Sequence, residues 1–164
     1  MTFEEYVLAR GPALVRLARL LVGDPHHADD LVQDALARVY PRWRHIARTD
    51  RPDVYVRRVL VNLNHSWWRR RSRREVSVAE PAERRNVADP QHEAVERDAV
   101  WPLPAALPPR QRDTLVLRYY EDLDDVTIAE ILGCSPVTVR THAMRGLATL
   151  RVRLASAQVE ERAP

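Results

Sequence analysis

From Ala13 to Val22 the chain is apolar and free of turn-forming residues, and it stops at Gly23-Asp24-Pro25. Gly closes one helix there, Asp caps the next, and Pro fits that helix's first turn. In the second helix Ala28, Leu31, Val32, Ala35 and Val39 recur at three- and four-residue spacing and predict a buried stripe. Asp30, Gln33, Asp34 and Ala37 fall on a separate, outward stripe, and the pattern ends near Tyr40-Pro41. A loop is expected from Trp43 to Asp50, and a third helix starts near Pro52. Its inner face is marked by Val56, Val59, Leu60, Leu63 and Trp67. Arg58, Asn62, Ser66, Arg69 and Arg73, three or four residues apart, line one polar face of the same helix.

The period then breaks. Val76 to Ala99 is rich in Glu, Ala, Arg, Pro and Val without a repeat, and Pro81 and Pro90 interrupt it, so it reads as a linker. Helical patterning resumes at Pro108-Pro109, with one helix around Arg110 to Tyr120, another from about Asp125 to Leu132 and a third from Ser135 onward. No strand alternation and no internal repeat is visible. The predicted architecture is all-α: two small helical domains, residues 1–75 and 107–164, joined by a flexible linker, 76–106.

The segment DDVTIAEILGCSPVTVRTHAMRGL has a helix-turn-helix layout. Small Ala129 faces the crossing helix, Gly133 supplies the positive φ of the turn, and Ser135 and Pro136 open the second helix. Ile128, Ile131, Leu132, Val139, Ala143 and Leu147 can close a small core. The polar side of the second helix is left with Thr138, Arg140, Thr141, His142 and Arg145. Such a helix can enter the major groove, where Arg pairs with guanine and Thr meets methyls or phosphates. The plainer reading is a helical hairpin whose polar side is solvated; cap, turn glycine and basic stripe together favour the groove reader.

Charge sharpens this picture. All 26 basic residues are arginine, and the net charge is +3. Residues 1–80 hold 15 Arg against 10 acids, whereas residues 101–164 hold 8 against 8. The excess gathers at Arg69, Arg70, Arg71, Arg73 and Arg74, five arginines in six residues that suit phosphate better than they suit a helix end alone. The lone Cys134 has no partner for an internal disulfide. His26 and His27 are sequence neighbours that point apart on a helix with no third ligand in register, and Glu121, Asp122, Asp124 and Asp125 read as a loop and helix start. No metal, cofactor or catalytic constellation is expected. The acidic N-terminus MTFEEYVLAR is unlike a signal peptide, no run approaches a membrane span, and a cytoplasmic protein is expected.

Taken together, the two halves resemble a group IV, extracytoplasmic-function RNA polymerase sigma factor, with the tryptophan pair and following arginines similar to an actinobacterial sigma-E-like branch. HHADDLVQDALARVY is similar to the family's polymerase-binding helix, YVRRVLVNLNHSWWRRR to its minus-ten helix, and LPPRQRDTLVLRYYEDLDDVTIAEILGCSPVTVRTHAMRGLATLR to its minus-thirty-five domain. The resemblance implies that Asp30, Gln33 and Asp34 dock on core polymerase and that Asn62 holds a flipped base of the non-template strand, with Tyr55 beside it. Arg58, Ser66, Arg69, Arg70 and Arg73 complete the minus-ten face, and Thr138, Arg140, Thr141, His142 and Arg145 face the minus-thirty-five groove. Core RNA polymerase, promoter DNA and an anti-sigma protein are the implied partners, with no membrane insertion and no enzymatic step. Ser66 departs from an often acidic family position, and Pro102 and Pro104 fall where the family usually keeps a helix. The alternative is a stand-alone helix-turn-helix regulator, which would require neither the acidic stripe nor the Asn62 face.

Overall fold

The computed structural model describes residues 1–77 and 107–162; the proline-interrupted stretch at Pro102 and Pro104 lies outside them. Every regular element among the described residues is helical. The first helix, α1 (Phe3–Val22), is ten residues longer than the apolar run Ala13–Val22 that announces it. A capping box starts it: the Glu5 amide donates to Thr2 Oγ1 at 3.1 Å and the Thr2 amide to Glu5 Oε2 at 2.7 Å. Pro12 lies inside, at the cost of one backbone hydrogen bond. Burial of Tyr6 on one side of it and Leu14, Leu17, Ala18 and Leu21 on the other outweighs that cost. Gly23, at φ 79°, ends the helix and donates to the Arg19 carbonyl at 2.9 Å.

Asp24 caps α2 (Pro25–Val39), accepting from the His26 amide at 3.0 Å, and α2 buries Ala28, Leu31, Val32, Ala35 and Val39, the five positions its spacing predicts. The expected loop from Trp43 to Asp50 is corrected at its start. A 3-10 turn (Tyr40–Arg42) runs into a short helix, α3 (Trp43–Ile46), because Trp43 and Ile46 both have core to reach. The Trp43 ring sits 5.6 Å from Phe3 and 4.7 Å from Tyr6, and its indole N–H donates to the Met1 carbonyl at 3.2 Å.

The long α4 (Pro52–Ser77) is buried on more of its circumference than one stripe allows. Val54, Val61 and Asn64 are buried alongside Val56, Leu60 and Leu63, because α4 lies between α2 on one side and the second unit on the other. That unit comprises α5 (Pro109–Tyr119), α6 (Asp125–Leu132) and α7 (Pro136–Glu161). Asp124 caps α6 through the Thr127 amide at 2.7 Å, Gly133 turns at φ 67°, and Ser135 caps α7 through the Thr138 amide at 3.1 Å. Val116, Leu117, Ile128, Ile131, Leu132 and Val139 join the core built on α1, α2 and α4, so a single apolar interior spans both sets of helices. Leu107, Leu115 and Ala143 form a smaller cluster with Leu147 and Leu150, beyond which the chain is exposed through residue 162. No described helix is long and apolar enough to cross a membrane.

Candidate nucleic-acid interface

Three exposed stripes carry the predicted residues. On α2, Asp30, Gln33 and Asp34 face solvent together with Ala37, as the opposite side of the helix fills the core. On α4, Arg58, Asn62, Arg69, Arg70 and Arg73 are exposed, Ser66 is half-buried, and Tyr55 is 37% exposed at the end of the same helix. The Arg70 Nε donates to the Ser66 carbonyl at 3.4 Å. On α7, Arg140 and Arg145 are exposed while Thr138, Thr141 and His142 are half-buried.

The α7 stripe is more constrained than its sequence implies. The Thr138 hydroxyl pairs with Ser135 Oγ at 2.9 Å as part of the cap, and the Thr141 hydroxyl donates to the Val137 carbonyl at 3.1 Å. Arg140 Nη1 rests 3.8 Å from Asp125 Oδ2, a carboxylate that also holds Arg118 at 3.3 Å. Burial first, then the neighbouring Arg110 and Arg145, pushes the His142 imidazole below the ordinary histidine range, which keeps that ring neutral in the basic stripe. Arg140 and Arg145 are therefore the two side chains with the freest reach outward.

The tryptophan pair is structural. Trp67 stacks on His27 of α2 with ring centroids 3.7 Å apart at 27°, and Trp68 meets Trp67 edge-on at 4.9 Å. The Arg71 guanidinium lies over both rings, and Arg112 of α5 covers Trp68 at 5.6 Å. Burial first, with the neighbouring Arg71 charge, presses the His27 imidazole below its ordinary range. Neither histidine of the 26–27 pair belongs to a metal-binding group among the described residues.

Sequence reasoning missed the polar contacts that join the two sets of helices. Arg57 of α4 donates to Glu121, His65 is bonded to the fully buried Asp113 of α5, and Arg51 reaches Thr127 at 2.5 Å and Glu130 at 3.2 Å on α6. The four acids assigned to a loop and helix start lie there, Asp124 as the cap and Asp125 in the first turn of α6, and Glu121 in addition reaches across to α4. The available signal was the apolar residues Val54 and Val61, which fall off the predicted inner stripe of α4 and demand a second neighbour.

An all-helical chain carrying a helix-turn-helix and, on a separate helix, an amide among arginines defines a DNA-facing transcription factor. Residues 7–74 match the Sigma-70 region 2 family and residues 103–150 match Sigma-70, region 4. The RNA polymerase sigma-E factor of Streptomyces avermitilis is 40% identical over 163 residues, covering 99% of this chain and 90% of the relative. The sigma-E factor of Streptomyces coelicolor is 40% identical over 164 residues, covering 99% and 92%. Among solved structures, the sigma factor RpoE of Bartonella quintana, in complex with the anti-sigma factor NepR, superposes with a TM-score of 0.77 at 22% identity, covering 93% of this chain and 96% of that one. The chain belongs to the sigma-70 family, as an RNA polymerase sigma factor of the extracytoplasmic-function type. Its function is promoter-directed initiation of transcription, and it is not an enzyme.

Proposed function

We propose that the three exposed stripes divide that function among them. Residues 1–75 act as the region 2 unit and 107–164 as the region 4 unit, with 76–106 as the connection. Asp30, Gln33 and Asp34 dock on a basic surface of core polymerase. Asn62, with Tyr55 and Ser66 beside it, reads a splayed minus-ten base while Arg58, Arg69, Arg70 and Arg73 hold the strand by its phosphates. Arg140 and Arg145, with Thr138, Thr141 and His142, face the minus-thirty-five major groove. The protein works in the cytoplasm, and an anti-sigma protein is its inhibitory partner, as NepR is the partner of the Bartonella relative.

The observation that carries this reading is chemical segregation: acids are exposed on α2, an amide flanked by arginines on α4, and arginines on α7. A stand-alone regulator requires neither of the first two, and the region 2 match at 7–74 speaks against it. The test is capture of core polymerase by the Asp30→Arg/Asp34→Arg variant. Loss of capture with unchanged helix content is expected; unaltered co-purification removes the docking assignment.

A further inference from the structure

The closed arrangement of the two helix sets creates a cavity of about 620 Å³ between α4 and the start of α5, bordered on one side by Asn62, Arg69 and Arg73 of the α4 stripe and on the other by groups that no stripe includes. Arg69, Ser72 and Arg73 line it from α4 and Arg110 from α5, with Trp68 at its wall. Among the described residues no acid lines it, and the nearby Asp113 is turned to His65. Arg110 is held in place through Nη1, which donates to the Leu132 carbonyl at 2.9 Å, leaving its other N–H donors available. Trp68 contributes to the wall, while its Nε1 is buried beneath the surface without a hydrogen-bond partner among the described residues, so the indole reports on the cavity from behind its lining. Pro108 provides no side-chain cap for α5, so the first-turn amides of that helix add positive potential on the same side.

From this geometry we infer that the closed chain binds a polyphosphate chain, free or as the tail of a nucleotide, between α4 and α5. The three guanidiniums offer only donors, and phosphoryl oxygens are acceptors in every direction. At the roughly 30 Å³ that each molecule of liquid water occupies, the cavity equals about twenty waters, room for linked phosphates that can reach Arg69, Arg73 and Arg110 at once. A nucleobase finds less here: both Arg71 and Arg112 already lie over the Trp68 ring. Because the walls come from both sets of helices, the ligand stabilises the closed form by mass action. Because Asn62, Arg69 and Arg73 border the same cavity, it also competes with a minus-ten strand. The competition rests on the proposed minus-ten role of those residues; the binding does not.

The experiment titrates inorganic tripolyphosphate into the ¹⁵N-labelled full chain at 0.15 M salt and follows the indole N–H resonances, that of Trp68 being identified by its loss in Trp68→Phe. A saturable shift of that resonance is expected. Arg110→Ala should weaken it at least tenfold and Arg42→Ala, on a remote surface, should leave it unchanged. Glu121→Arg, which parts α4 from the turn after α5, should also weaken it at least tenfold, with Arg51→Glu as the second variant if the first loses helix content. ATP and GTP should bind within a few fold of tripolyphosphate. Undiminished binding in the opened variants would reduce the site to the α4 arginines and overturn the proposal, as would nucleotide binding without tripolyphosphate binding or the absence of a saturable Trp68 shift. If tripolyphosphate binds as expected yet fails to displace a single-stranded minus-ten oligonucleotide, the cavity stands and the minus-ten assignment fails instead.

Discussion

The guanidinium of Arg57, in the second turn of α4, donates from Nε at 2.8 Å and from Nη2 at 2.5 Å to one carboxylate oxygen of Glu121, in the turn after α5. Both side chains are only 15% exposed, so the pair is largely desolvated and its loss leaves a charge without its partner. Glu121→Arg should cost about 1.5–3 kcal/mol of the interdomain association and enlarge the radius of gyration measured by X-ray scattering. Adding Arg57→Glu should restore compactness. A Glu121→Arg chain as compact as the wild type would mean that the apolar interface alone holds the two sets of helices together.

Gly146 shows a helix position where propensity and packing disagree. Alanine there gains about 0.5–1 kcal/mol of helix propensity, but its Cβ would stand 2.9 Å from Leu115 Cδ1 and 3.2 Å from Leu115 Cγ. Overpacking of this kind costs about 1–3 kcal/mol and should win. Gly146→Ala is therefore expected to lower the thermal midpoint, and Leu115→Val in the same chain should recover part of the loss. A rise in the midpoint on Gly146→Ala would show that Leu115 yields freely.

The two depressed histidines set a pH dependence with a definite sign. His27 and His142 both bind a proton less readily in the fold than at the ordinary value of 6.5. Their contribution to stability is complete above that value and is lost as pH falls through the lower folded-state value, because the unfolded chain takes up the protons first. Thermal midpoints should fall between pH 7 and pH 5, and less steeply in His27→Gln and His142→Gln. Identical slopes in all three chains would assign the acid sensitivity to carboxylates.

Affinity and base reading should separate between α4 and α7. Neutralising Arg69, Arg70 and Arg73 is expected to flatten the salt dependence of promoter binding by the holoenzyme, by about 0.7–0.9 in slope for each phosphate that an arginine no longer neutralises, with promoter ranking preserved. Arg140→Ala should cost about 1–3 kcal/mol on the cognate minus-thirty-five element and little on a scrambled one. Equal weakening on both DNAs would remove Arg140 as a base reader. Asn62→Ala should impair a duplex promoter with its polymerase capture intact, since an amide reads that base only after the strand is splayed.

The sequence by itself determined the local elements wherever short-range chemistry decides them. Gly23 and Gly133 end helices by positive φ, Asp24, Asp124 and Ser135 cap the helices after them, and the spacing of Ala28 to Val39 selects the buried face of α2. The solvent-facing placement of Asp30, Gln33, Asp34, Asn62 and Arg140 was legible for the same reason. Tertiary structure alone decided the rest. Pro12 is helical because Tyr6 and Leu14 are both buried, and Trp43 begins a helix because Phe3 and Tyr6 wait for it. Arg57 with Glu121 and His65 with Asp113 are separated by 64 and 48 residues, and no local periodicity encodes a pairing across a chain segment of that length. Which face of α4 receives the second unit depends on the summed burial of Val54, Val61, Val116, Ile128 and Ile131, a property of two surfaces meeting rather than of either sequence alone.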